Sequence, residues 1–216
     1  MLNLPKSTEF HQRIPKQKFY ESLVVTPAQK KAFTEQIKVI YWRNKLAATT
    51  LNIVSGERVT EVEIFEIKLN VPDLDENVLR LIDRAIPYHI LFLLEYEGRY
   101  RAAMAYKEVS KGKDGIQVDR YFHTSWLPED MLQLHLDGLT MDDVYENFIR
   151  QIAGKTLPSS EKNTLKESLE LQRQRELLDK QIATLETKMR KEKQLNRKME
   201  LKGEIKKLKA NLEGLM

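Results

Sequence analysis

The sequence contains no cysteine. Disulfides, thiolate metal sites and a cysteine nucleophile are excluded, and the composition suits a reducing cytoplasm. Long apolar runs are also missing. The longest, over 90–94, is strand-sized and far short of the roughly 18 residues a membrane helix needs. The first ten residues, MLNLPKSTEF, show no basic stretch followed by an apolar one, so no secretory signal is expected. A soluble cytoplasmic protein without a membrane partner is the expectation. There is no G-x-S-x-G elbow, no G-x-x-x-x-G-K-[ST] phosphate loop and no G-x-G-x-x-G turn, which disfavours an ATPase, a kinase or a Rossmann enzyme. The histidines His11, His89, His123 and His135 lack paired metal-ligand spacing, so no metal site is expected from them. His89 opens a predicted strand and His123 closes one, which makes them candidates to meet in space; a structural role for each is the plainer reading.

Charge is abundant but unevenly placed. Residues 158–216 hold 15 of the 36 Lys and Arg and 10 of the 32 Asp and Glu, leaving 21 basic and 22 acidic residues before them. The first part is nearly neutral and the last part carries a net +5. General attraction to nucleic acid therefore belongs to the tail.

The order of apolar and turn residues predicts an α+β domain over 1–154, a linker over 155–160 and a charged helical tail over 161–216. Residues 1–25 read as an irregular lead-in. Thr26-Pro27 is a helix start, and Phe33, Ile37, Ile40 and Tyr41 follow helical spacing to about residue 45. A strand is expected at 51–54. A clearer one spans 61–69, where Phe65, Ile67 and Leu69 share one face and Ile64, Glu66 and Lys68 the other. A helix over 75–85 comes next. Strands at 89–96 and 99–107 flank Glu97-Gly98, a two-residue hairpin connection. After a polar loop at 111–115, a strand covers 116–123, with a short edge strand expected at 132–136. Thr140 and Asp143 form a capping box for a helix to about 153, stopped by Gly154. The resulting α-β-β-α-β-β-β-α order suggests a mainly antiparallel sheet flanked by helices.

The tail has no aromatic residue. Leu171, Leu178 and Leu185 recur every seven, with Ile182 and Met189 at the complementary positions. Leu201, Ile205, Leu208, Leu212 and Leu215 form a second seam whose frame is offset from the first by two residues. A reversal near 190–197 would reconcile the two frames. A helical hairpin is the preferred form and a kinked dimeric coiled coil the rival, the latter making a homo-oligomer through these residues.

Two constellations carry chemistry. Glu66-Ile67-Lys68 places a carboxylate and an ammonium on one strand face, as in Mg²⁺-dependent nucleases of the restriction-enzyme type. Glu57, Glu61 or Glu63 would supply a second carboxylate and Glu35 a further ligand; Mg²⁺ is the cofactor under that reading alone, and none is expected otherwise. The plainer reading is a half-exposed strand with an ion pair. Lys188, Arg190, Lys191, Lys193, Arg197 and Lys198 form the densest basic cluster, diluted by Glu192. On a hairpin tip they would be a handle for nucleic-acid phosphates, salt-sensitive and without base stacking. The aromatic groups Tyr121-Phe122-His123…Trp126 and Tyr41-Trp42-Arg43 read as core or interface anchors, with Trp42 the most exposed.

The segments LPKSTEFHQRIPKQKFYE, IKVIYWRNKLAATTLNI, EVEIFEIKLN, IPYHILFLLEYEGRYRAAMAYKE, RYFHTSW and VYENFIRQIAG, in that order, resemble an uncharacterised bacterial family catalogued as a domain of unknown function. The resemblance covers most of residues 1–155 and reaches into the tail. Members of that family are often encoded beside helicases and DNA methyltransferases of restriction-like or antiphage systems. It implies an accessory role in DNA-directed defence, with a helicase or methyltransferase as protein partner, and it supplies no catalytic residues. The expectation is a non-enzymatic interaction subunit, with the Glu-x-Lys nuclease as the alternative.

Overall fold

The computed structural model describes residues 2–21, 23–109, 116–157 and 163–215. The loop expected at 111–115 and part of the linker expected at 155–160 lie outside the described residues. The chain divides into two compact units, Met1–Gly154 and Lys155–Met216.

In the first unit, β1 (Glu9–Ile14) and α1 (Gln17–Glu21) precede α2 (Pro27–Gln36), β2 (Ile37–Ala47) and α3 (Ala48–Leu51). Then come β3 (Glu61–Leu69), α4 (Glu76–Ala85), β4 (His89–Tyr96), β5 (Arg99–Val109), β6 (Ile116–His123), β7 (Leu127–Pro128) and α5 (Met141–Ala153). The strands form one sheet in the order β1-β2-β3-β4-β5-β6, with β7 pairing the start of β5. The β3–β4 pair is parallel, bridged by α4; the other pairs are antiparallel. One face packs Phe65, Ile67, Phe92 and Ala103 with Phe19, Phe33, Val78 and Ile82 of α1, α2 and α4. The other meets α5, whose Val144, Phe148, Ile149 and Ile152 are buried. Burial of each such side chain stabilises by roughly 1.5–3 kcal/mol.

The Glu97-Gly98 hairpin forms as expected. Both central residues have positive φ, 50° and 76°, which is why a glycine serves there. The α5 cap also forms, with Thr140 accepting from the Asp143 N–H and Asp143 accepting from the Thr140 N–H. Its neighbour Asp142 accepts from the backbone N–H groups of Glu57, Arg58 and Val59, tying the β3 approach to the helix. A Cβ on Gly56 would stand 2.5 Å from the Val59 carbonyl oxygen, so only glycine fits that clamp.

Four local expectations are corrected. The helix expected over 26–45 ends at Gln36, and β2 takes its second half. Val39, Ile40, Tyr41 and Trp42 are β-branched or aromatic, and strands on both sides offer them partners, which outweighs a helical reading of the spacing. The strand expected at 51–54 is instead the one-turn α3, closed by Asn52 in the left-handed conformation; Val54 alone bridges, to Thr140. The strand expected at 132–136 is absent, Leu134 making a single bridge to Leu2. The lead-in is not irregular but contains β1 and α1.

In the second unit, α6 (Leu165–Lys191) and α7 (Leu195–Glu213) follow. Thr164 caps α6 in a capping box with Glu167. The chain reverses at 192–194, and the two helices pack on each other as a hairpin. Ile182 and Ile205 are buried between them, while Leu171, Leu178, Leu185, Met189, Leu208 and Leu212 are half-buried. Lys209 reaches Glu186 at 2.8 Å, and Arg175 donates to the Leu215 carbonyl. Among the described residues no helix is long and apolar enough to cross a membrane.

Candidate functional site

The Glu-x-Lys strand does not assemble a metal site among the described residues. Glu66 faces Arg43 at 3.3 Å and Lys68 at 3.8 Å, so its charge is met by two cations. Glu35 ends α2 and pairs with Lys31, and Glu57 sits at the Asp142 clamp before β3. No group of three or more His, Asp or Glu side chains able to hold a metal ion occurs among the described residues. His89 and His123 do not meet. His89 stacks against Tyr145 of α5, whereas His123 approaches Glu76 of α4 at 3.8 Å on the opposite face. Burial holds both imidazoles below their usual range, His89 at about 3.

What the head does build lies on the α4 face. Two irregularities in facing strands shape it: β1 shifts register between Glu9 and Gln12, where His11 has a φ of 46°, and β2 shifts between Trp42 and Asn44. Such bulges re-aim side chains. Here Phe10 stacks on Trp42 with ring centroids 4.1 Å apart, and the Trp42 indole N–H donates to Glu63 Oε2 at 2.7 Å. Glu63 is 2% exposed. Burial pushes its carboxyl up to about 7; Glu61 adds to the rise, and the Trp42 N–H and Lys45 oppose it. Lys45 pairs with Glu61 at 2.9 Å and lies over the Tyr88 ring. Glu63 and Trp42 open on a cavity of about 510 Å³. Phe65, Ile86 and Tyr88 form apolar walls, and Arg13 and Lys18 line it from β1 and α1.

A second hollow of about 420 Å³ opens beside Asp83 and Lys107, with Arg80 and Arg84. The Asp83–Lys107 pair is 2.8 Å apart, their side chains 0% and 5% exposed, and the Tyr121 hydroxyl donates to Asp83. Burial pushes the Asp83 carboxyl up, against the pull of Lys107, Tyr121 and Arg80.

Reading residues in order gave Glu63 only as a reserve metal ligand and Trp42 as a helix-surface residue. The available signal was periodicity: Glu63 continues by twos the apolar face of Phe65, Ile67 and Leu69. A carboxylate on such a face is buried.

In the tail, Lys188, Arg190 and Lys191 end α6, Lys193 is in the reversal, and Arg197 and Lys198 lie in the first turn of α7. All six are exposed. The acid among them, Glu192, accepts from the backbone N–H groups of Lys193 and Gln194 at 2.8 and 2.9 Å, so its carboxylate caps the reversal. The first turn of α7 has no side-chain cap from Gln194.

A family model described as "Domain of unknown function (DUF4391)" matches residues 2–212. No curated protein and no solved structure matches the chain.

Proposed function

The chain belongs to the DUF4391 family, and from that premise we propose that it is a non-enzymatic interaction subunit of a bacterial DNA-directed system, restriction-like or antiphage. The head docks on a protein partner, and the tail hairpin contacts nucleic-acid phosphates through its tip. One observation carries this: six exposed basic side chains collected on the reversal between α6 and α7, with their one acid turned onto the backbone. Helix α7 adds the partial positive charge of its N-terminal turn. No aromatic residue accompanies the cluster, so contact is through charge and independent of base sequence. The helicase or methyltransferase class of the partner rests on the family resemblance alone.

Fluorescence anisotropy of the full chain with labelled duplex DNA tests the tip. Binding should weaken steeply with salt, at a slope of about −0.9 for each phosphate contacted. Replacing Lys188, Lys191 and Arg197 together by alanine should flatten the log–log slope by about 3. Salt-insensitive binding, or binding unchanged in that variant, defeats the proposal. Affinity capture with the full chain in gentle salt tests the docking; recovery of the chain alone counts against it.

A further inference from the structure

The cavity at Glu63 plays no part in the nucleic-acid contact proposed for the tail. Its floor is one carboxyl group in a residue 2% exposed, and the cavity volume of about 510 Å³ falls within the range of small-ligand sites. The protein's own N–H, from Trp42, goes to Oε2; among the described residues no N–H reaches Oε1. An ionised carboxylate only accepts hydrogen bonds, so an occupant must bring donors, and two oxygens side by side match two parallel donors. The walls are flat. Trp42, Phe65 and Tyr88 give the cavity aromatic faces, and Ile86 and Pro87 close it with apolar contacts. This suits a planar ring. Arg13 and Lys18 line the same space. They repel an organic cation and attract a ring that carries an anionic group.

Among the common bases, guanine alone has two adjacent N–H donors on its Watson–Crick edge, at N1 and the 2-amino group. Adenine and cytosine set one donor beside an acceptor, and uracil sets one donor between acceptors. We infer that the head binds a guanine nucleotide, its base edge on Glu63, its ring against the aromatic walls and its phosphate toward Arg13 and Lys18. The buried carboxyl, held near neutrality while the cavity is empty, becomes a fully used carboxylate when the base arrives.

Isothermal titration calorimetry of the full chain with GMP, AMP, CMP and UMP tests this. GMP should bind one to one and saturably, about tenfold more tightly than the other three. Glu63→Gln should weaken GMP by about tenfold without lowering the thermal midpoint. The exposed pair Arg13→Ala with Lys18→Ala, which leaves the core intact, should weaken GMP about fivefold and leave guanosine unchanged. No saturable heat at millimolar GMP overturns the inference, as does equal binding of all four nucleotides. So does benzamidine, a planar cation, binding where GMP does not, or GMP binding that survives both sets of substitutions.

Discussion

In the head, Phe65 and Phe92 lie on neighbouring strands with ring centroids 6.5 Å apart, and neither is more than 1% exposed. In the tail, Ile182 and Ile205 are buried members of seams whose other residues stay half-exposed. The head closes apolar side chains on two sides of a sheet and so has an interior. The hairpin has one line of contact, and most of each helix faces water. That difference decides where charge can stand. An interior fixed on every side can hold Glu63 and the Asp83–Lys107 pair at defined positions, because the groups around them do not relax to let water in. A two-helix seam cannot, and its charges lie outside, where they are available to a polyanion and individually contribute little to stability.

The largest effect should come from breaking the buried pair. Asp83→Ala leaves the Lys107 ammonium 5% exposed without its carboxylate, and the head should lose about 3–5 kcal/mol in denaturant unfolding. A loss below about 1 kcal/mol would mean that the interior tolerates an unpaired charge and would erase the contrast with the tail.

Next is the pH response of Glu63. Its folded value near 7 lies above the unfolded value of 4.5, so the folded head holds the extra proton between those limits. Its contribution to stability is therefore undiminished below pH 4.5, falls as pH rises toward 7, and stays low beyond. Glu63→Gln should match the parent near pH 4.5 and exceed it by up to about 3 kcal/mol at pH 8. His89 acts in the opposite sense, since its folded value near 3 lies below its unfolded 6.5 and makes stability rise with pH up to 6.5. The difference between parent and variant, measured at several pH values, cancels that contribution. A difference that does not grow with pH would place Glu63 in contact with water.

In the tail, Ile182→Ala should destabilise the hairpin by about 2 kcal/mol, read as faster amide exchange in α6 and α7. Unchanged exchange would show that the seam does not hold the helices together. The smallest effect is at the helix start. Thr164→Ala removes the side-chain acceptor for the Glu167 N–H, and α6 should lose about 1 kcal/mol, seen as fraying of its first turn in exchange.

The features legible in the sequence are the ones a segment settles with its own neighbours. Glu97-Gly98 supplies the positive φ values its turn needs, and Thr140 with Asp143 caps α5 from within four residues. The tail's two offset seams demanded a reversal, and it falls at 192–194. The expectations that failed depended on distant partners. Residues 37–47 carry spacing that suits either a helix or a strand, and β1 and β3 decide for a strand. The exposed β1 has no apolar pattern to announce it; its backbone pairs with β2 at the sheet edge. The Glu63 cavity draws on residues from Gln12 to Tyr88, and no single window contains it.

The sequence by itself determined the caps, the tight turn, the neutral head, the basic tail and the two seams, because each follows from composition or from contacts a few residues long. The tertiary structure alone decided which residues become β1 and β2, which carboxylates meet cations, and that Glu63 lies buried beside Trp42. A helix satisfies its backbone from within, whereas a strand must find its hydrogen bonds on another strand, and a buried charge takes its environment from whatever the fold brings around it.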